Sequence, residues 1–162
     1  MSLERPEMLT LRLATSSDVN LLFEWVNSPS SLRNKVKSVT PIEWSVHKEW
    51  FNKRLNSTSA KIWIVEADQE ALGQVRVEYD NTRLLVDIFI DPLFRGKNVG
   101  LTALRLLMEQ CQVIYPEVPL VAVVRNENDA SLNLFSRANF RKTSDDGGIS
   151  CFVYEYSPLH SK

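Results

Sequence analysis

Phe94-Arg95-Gly96-Lys97-Asn98-Val99-Gly100 (FRGKNVG) decides how the rest of the chain is read. It lies between a β-like run that ends at Asp91-Pro92 and a long stretch, Val99 to Val113, in which Leu101, Leu104, Met108 and Cys111 recur at helical spacing. A strand, a basic glycine-containing loop and a helix in that order present free backbone N–H groups and the positive end of a helix dipole to an anion, so phosphate or pyrophosphate is the natural guest. The plainer reading is a turn shaped by Gly96 and Gly100, with Arg95 and Lys97 in solvent; glycine spacing alone does not separate the two. Asn98 stands where a phosphate loop would most naturally carry glycine. Asparagine is the non-glycine residue that most readily takes up left-handed backbone, so the loop can keep its shape.

Outward from the loop, element types alternate. Met8 to Leu13 reads as a strand, followed by Val19, Leu22, Phe23 and Val26 at helical spacing behind the candidate caps Ser16 and Ser17. Thr40-Pro41-Ile42-Glu43 has a capping residue, proline at the first helical position and glutamate at the third, which predicts a helix from Pro41 to Leu55. KIWIVEA (61–67), GQVRVEY (73–79) and LLVDIFI (84–90) alternate like strands, and their short polar connections predict an antiparallel meander. After the long helix come a strand (Leu120 to Val124), a helix (Ala130 to Ala138) and a closing pair around Phe140 and CFVYEY (151–156). The order β-α-α-β-β-β-α-β-α-β-β gives an α/β chain: a mixed sheet covered by helices.

Composition bounds what such a domain can do. With 162 residues, 44% of them hydrophobic, one sizeable core and one domain spanning 1–162 are expected. Nineteen basic against twenty acidic residues leave a net charge of -1, which gives no global drive toward nucleic acid or an anionic membrane. Any anionic ligand must be held locally. MSLERPEMLT has no apolar run of signal-peptide length and no stretch is long enough to span a bilayer, so a soluble cytoplasmic protein is expected. Cys111 and Cys151 stand apart, outside any CxxC pattern and without clustered histidines, which argues against a disulfide framework or a metal site and for buried thiols.

The loop resembles the acetyl-CoA pyrophosphate loop of the GNAT acetyltransferase superfamily: Arg or Gln, two residues, Gly, one residue, then Gly or Ala. The pattern falls on Arg95, Asn98 and Gly100, with Gly96, Lys97 and Val99 between them. NENDASLNLFSRANF (126–140) resembles a second segment of the superfamily, with Asn126 or Asn128, Ala130, Ser131, Leu134, Phe135, Asn139 and Phe140 in the matching places, and asparagine again where glycine is usual. EWVNSPSSLRNKVKSVTPIEWSVHKEWF (24–51), followed by GQVRVEY, is similar to the branch that acetylates amino groups of nucleotide-linked deoxysugars for bacterial surface nonulosonic acids and related polysaccharides. The matches there are Trp25, Asn27, Pro29, Arg33, Ile42, His47, Trp50, Phe51, Gly73, Gln74, Val75 and Arg76.

The resemblance implies a GNAT fold and direct acetyl transfer from acetyl-CoA, as co-substrate, to a primary amine, without an acyl-enzyme or a metal. It implies that the strand 84–90 splays from the strand near 120–124, that a backbone N–H at Phe89 or Ile90 polarises the thioester carbonyl, and that the loop 95–100 with Asn126 or Asn128, Ser131 and Phe135 holds CoA. A base is needed to take the amine's proton; Asp87 and Glu78 are the candidates, each with a solvent-facing strand position as its plainer reading. Arg33 and Arg76 are candidates to clamp a nucleotide diphosphate, Trp50 to stack on a base or sugar, and His47 to contact the acceptor. The plainer readings are a surface cation, a cross-strand ion pair, a core aromatic and a satisfied buried histidine. Phe135 occupies a place where many members have a tyrosine able to protonate the departing thiolate, and it has no proton to give. Protein N-termini or polyamines are the alternative acceptors, a non-catalytic acyl-CoA-binding module is the alternative class, and a homodimer stays open.

Overall fold

In the computed structural model, which describes residues 8–36 and 40–156, seven strands form one mixed sheet flanked by five helices. The expected absence of a leader in MSLERPEMLT falls mostly on residues 1–7, outside the described residues. β1 (Thr10–Leu13) leads through a 3-10 turn into α1 (Val19–Val26), then α2 (Pro29–Asn34) and α3 (Trp44–Leu55). The meander β2 (Ala60–Ala67), β3 (Glu70–Tyr79) and β4 (Leu84–Ile90) precedes α4 (Val99–Ile114), β5 (Leu120–Arg125), α5 (Asp129–Arg137), β6 (Arg141–Asp146) and β7 (Ile149–Tyr154). The sheet order is β1-β2-β3-β4-β5-β7-β6, antiparallel throughout except for the parallel pair β4–β5.

Alternation along the meander sorts side chains to two faces. Trp63, Val65, Val75, Val77, Leu84 and Ile90 are buried in one core with Leu101, Leu104 and Leu107 of α4. Ile62 and Ile64 are buried on the other face with Leu22 and Trp25 of α1 and Phe51 of α3. The β2–β3 connection is a two-residue turn at Asp68 and Gln69, with φ of 55° and 67°, the geometry that matches the twist of paired strands.

Three expectations are corrected. α3 begins at Trp44, capped at Glu43 (φ −74°, ψ 152°), and not at Pro41. The backbone of Ile42 is held extended by Asn27, whose Oδ1 accepts from Ile42 N–H (2.8 Å) and whose Nδ2 donates to Ile42 O (2.9 Å), so a tertiary clamp overrides the local helix-start signal. α2 is an added element. It has no apolar period and rests on Ser28 as N-cap and Pro29 at its first position. Ser16 and Ser17 lie inside the 3-10 turn and do not cap α1. The turn is locked by buried Asp18, whose carboxylate accepts from Arg12 (2.9 Å to each oxygen) and from Thr15 N–H (2.8 Å). Cys111 is fully buried and its thiol is pushed up to about 12 by desolvation; Cys151 is half-buried.

Candidate active site

β4 and β5 are paired only at Leu84–Leu120 and Leu85–Val121. β5 stays paired with β7 along its length, and from Val86 to Ile90 the edge of β4 that faced β5 has no strand partner among the described residues, while its other edge stays paired with β3. The gap opens into a cavity of about 1170 Å³ that runs from the loop 95–100 and α5 to helices α1–α3. An extended chain with its own amide groups can lie along such an unpaired edge.

The loop takes the shape expected for it. Asn98 sits in left-handed backbone (φ 62°, ψ 17°) immediately before α4, and Gly96 is also at positive φ (80°). Asn139, the second asparagine in place of glycine, is at φ 71°. The first hydrogen bond of α4 runs from Thr102 N–H to Asn98 O (3.1 Å), so the backbone N–H groups of the opening turn are left for an anion. Gly96, Asn98, Val99 and Gly100 line the cavity; Lys97 does not. The guanidinium of Arg95 is committed to the protein. Its Nε donates to Ile90 O (2.6 Å), its Nη2 to Ser30 Oγ (3.1 Å), and it lies 5.2 Å from the Phe89 ring centre, while desolvation holds its pKa below the usual arginine range. Arg95 therefore straps α2 to the end of β4.

On α5, Asn128 is the N-cap, its Oδ1 accepting from Ser131 N–H (3.2 Å), and Asn128, Ser131 and Phe135 line the cavity. Asn126 is placed elsewhere: its amide donates to Asp145 and accepts from Ser150, a structural bridge between the end of β5 and the β6–β7 hairpin. Phe135 is buried, edge-on to Phe140 at 5.1 Å.

On the β3–β4 ladder, Gln74, Arg76 and Glu78 share one face with their cross-strand partners Phe89, Asp87 and Leu85. Asp87 lines the cavity with its side chain 52% exposed, and its Oδ2 accepts from Gln74 Nε2 (2.9 Å) and lies 3.7 Å from Arg76 Nη2. Glu78 is off the cavity wall and its carboxylate accepts from Arg54 Nε (2.8 Å). Arg33 points from α2 as an exposed cation and is not part of the wall; Lys35, two residues on, is. Trp50 is a half-buried wall residue with the guanidinium of Arg76 at 5.0 Å and that of Arg54 at 5.5 Å from its ring centre. His47 reaches the wall but is 2% exposed, stacked on Phe51 and bonded through Nε2 to Val19 O (3.1 Å), and burial lowers its pKa.

Three contributors were not assigned roles by sequence reasoning. Gln74 was part of the quoted resemblance, but nothing in the sequence says which strand neighbour its amide meets. Lys35 lines the cavity, its backbone carbonyl accepts from Arg125 Nη1 (2.7 Å), and desolvation lowers the pKa of its ammonium. Gly73 allows β3 to approach β4: a Cβ there would collide with Phe89 O and lie 2.9 Å from Ile90 Cα. Among the described residues no group of histidine, cysteine and carboxylate side chains could hold a metal ion, and no helix is long and apolar enough to cross a membrane.

A family model described as an acetyltransferase (GNAT) domain matches residues 8–141. No curated protein matches the chain. Among solved structures, a domain from Methanocaldococcus jannaschii is similar at a TM-score of 0.81 and 20% identity, covering 92% of this chain and 99% of that one. The spermidine N-acetyltransferase of Vibrio cholerae, in complex with CoA and spermine, is similar at 0.79 and 18% identity (91% and 95% covered). The N-acetyltransferase PseH of Campylobacter jejuni is similar at 0.70 and 18% identity (92% and 99% covered). At these identities the structures share the fold, and acceptor chemistry has to be argued from the site.

Proposed function

The chain belongs to the GNAT acetyltransferase family, and from that premise we propose that it transfers an acetyl group from acetyl-CoA to the primary amine of a nucleotide-linked amino deoxysugar. The parts of the cavity fit CoA: a left-handed loop at a helix N-terminus for the pyrophosphate, an unpaired β4 edge for the pantetheine amides, and Asn128, Ser131 and Phe135 along α5. Acetyl-CoA, when bound, supplies the electrophilic thioester. The protein's part is to aim the backbone N–H of Ile90, which faces the open edge while that of Phe89 is turned to β3, at the carbonyl oxygen, to hold the amine next to it and to remove its proton. Asp87 is the candidate for the last task, since it lies on the same strand as Ile90 and borders the cavity. Arg95 contributes by tying Ile90 to Ser30, which keeps the edge of β4 and the acceptor-side helix in one piece.

The observation that carries the nucleotide-sugar reading is the pair Lys35 and Arg76 on the acceptor wall, one a desolvated ammonium, the other lying over Trp50. A diphosphate would give Lys35 a counter-charge and Arg76 a partner beyond Glu78 (3.9 Å) and Asp87 (3.7 Å), and the Trp50 ring gives a base or sugar a face to stack on. A polyamine would meet Lys35 and Arg76 as like charges. The test is CoA thiol release with UDP-, CMP- and GDP-linked amino sugars beside spermidine and N-terminal peptides. Turnover confined to the nucleotide sugars, with the acceptor KM raised in Lys35→Met and the acetyl-CoA KM unchanged, supports the reading. Preference for spermidine or a peptide moves the substrate to that class, and acetyl-CoA binding without turnover of any amine makes the chain a binding module.

A further inference from the structure

Gln74 is a wall residue whose buried amide is incompletely hydrogen-bonded inside the protein. It is 5% exposed, and of the buried side-chain polar atoms among the described residues its Oε1 is the one without a hydrogen-bond partner. Its orientation is set by the neighbour: Nε2 donates to Asp87 Oδ2 (2.9 Å), and a carboxylate only accepts, so the oxygen has to point the other way. The two contacts that hold Asp87, from Gln74 and from Arg76, both fall on Oδ2. The carboxylate is thus anchored through one oxygen, on a side chain that lines the cavity and is 52% exposed. Leaving a buried carbonyl unpaired is costly, and native proteins rarely tolerate it without a reason. Gln74 sits directly opposite Phe89 in the strand register, near the end of the unpaired β4 edge.

We propose that Gln74 is the socket for the acceptor's amino group: Oε1 accepts one N–H of the amine while Nε2 holds Asp87 so that Oδ1 faces the same nitrogen. Oε1 is buried, and the terminal torsion of glutamine is broad, so reaching the amine requires a turn of the amide that keeps Nε2 on Asp87. The socket deepens the acetyltransferase reading and rests on it, but not on the sugar. Atoms balance as follows. An ammonium has three N–H protons. Two leave by way of Asp87 or its water as nitrogen bonds the acetyl carbon and the carbon–sulfur bond breaks; one of the two returns to the thiolate and the other goes to solvent. The third stays on the product amide, bonded to Gln74 Oε1. A secondary amine ends as an amide without N–H and must abandon Gln74 during the reaction, so the socket selects primary amines.

The experiment uses the best acceptor of the thiol-release panel and its N-methyl derivative, with Gln74→Met, Asp87→Ala and Asp87→Asn. Gln74→Met should keep the acetyl-CoA Kd, raise the Kd of the acceptor for the CoA-bound enzyme, by calorimetry, about three- to tenfold, and reduce the preference for primary over N-methyl amine by a similar factor. Asp87→Ala should also lose the preference, because Gln74 is released. Asp87→Asn should retain it, since the asparagine oxygen still accepts from Nε2, even though its turnover falls. Unchanged acceptor Kd and unchanged preference in Gln74→Met overturn the socket while leaving the acetyltransferase reading intact. Loss of acetyl-CoA binding in Gln74→Met makes the residue a fold element and also overturns it. A spermidine or peptide acceptor that passes the test refutes the sugar reading alone, and no turnover of any amine by the parent refutes both.

Discussion

Asn98 shows what one residue has to do for this site. Its left-handed φ of 62° lets the loop turn its N–H groups inward, and asparagine accepts that backbone at modest cost. A β-branched side chain does not. Asn98→Val should weaken acetyl-CoA by strain on the order of 1–3 kcal/mol, roughly five- to 150-fold in Kd, whereas Asn98→Gly should hold the affinity of the parent. Calorimetric titration of the three proteins checks both, and equal affinity for parent and Asn98→Val removes the loop from the site. Phe135 poses the opposite question, a missing group. It is buried beside Phe140 and Phe152 yet borders the cavity. A CoA thiol has an ordinary thiol pKa, roughly 8 to 9, so expulsion as thiolate near neutral pH is not prohibitive. Phe135→Tyr should therefore change kcat by less than about tenfold, under 1.4 kcal/mol of barrier. A much larger gain in steady-state rate would mean that the lost hydroxyl limits the natural protein.

Among the elements, the β3–β4 ladder is the one on which structure and chemistry coincide. Gly73 brings β3 against Phe89 and Ile90, at the end of β4 where the Ile90 N–H faces the open edge, and Gln74 and Arg76 meet Phe89 and Asp87 one pair at a time. Gly73→Ala puts a methyl group into the backbone of β4. Overpacking of this kind costs about 1–3 kcal/mol, and because the displaced atoms are those of the site, thermal stability and acetyl-CoA affinity should fall together. A variant with lowered Tm and unchanged Kd would separate the ladder from the cofactor. The helices were legible to different degrees. α1 and α4 announced themselves by apolar spacing, but Pro41 stood outside α3 because Asn27 claims the backbone of Ile42. α2 carries too few apolar residues to show a period, and its signal was confined to Ser28 and Pro29.

Taken as a whole, the molecule is two apolar layers on either side of a sheet that opens at β4–β5, with His47 buried in the layer under α1 and α3. Desolvation lowers the His47 pKa in the folded protein, while in the unfolded chain it titrates near 6.5. Between the two values the unfolded state binds the proton and the folded state refuses it, so the stability that neutral His47 supports is present above about pH 6.5 and is lost as pH falls toward the folded value. Urea unfolding at pH 7.5 and 5.5 should show a smaller loss on acidification in His47→Gln than in the parent. An identical loss in the two proteins would mean that other groups set the acid sensitivity.

By itself the sequence determined what depends on neighbours along the chain: the strand alternation of the meander, the amphipathic stripe of α4, the two asparagines at left-handed positions, and the strand–loop–helix order that points to a bound pyrophosphate. These follow from backbone sterics and side-chain period, which act over a few residues. Tertiary structure decided what depends on register and on contacts distant in sequence. It paired Glu78 with Arg54 off the cavity wall, gave Asn126 to the β6–β7 hairpin, turned Arg33 to the surface while placing Lys35 on the cavity wall, and set Gln74 against Asp87. A side chain's period fixes which face of a strand it occupies but not which partner lies across from it. That partner is set by the turn lengths and bulges that place one strand against the next, and a shift of one residue exchanges the faces altogether.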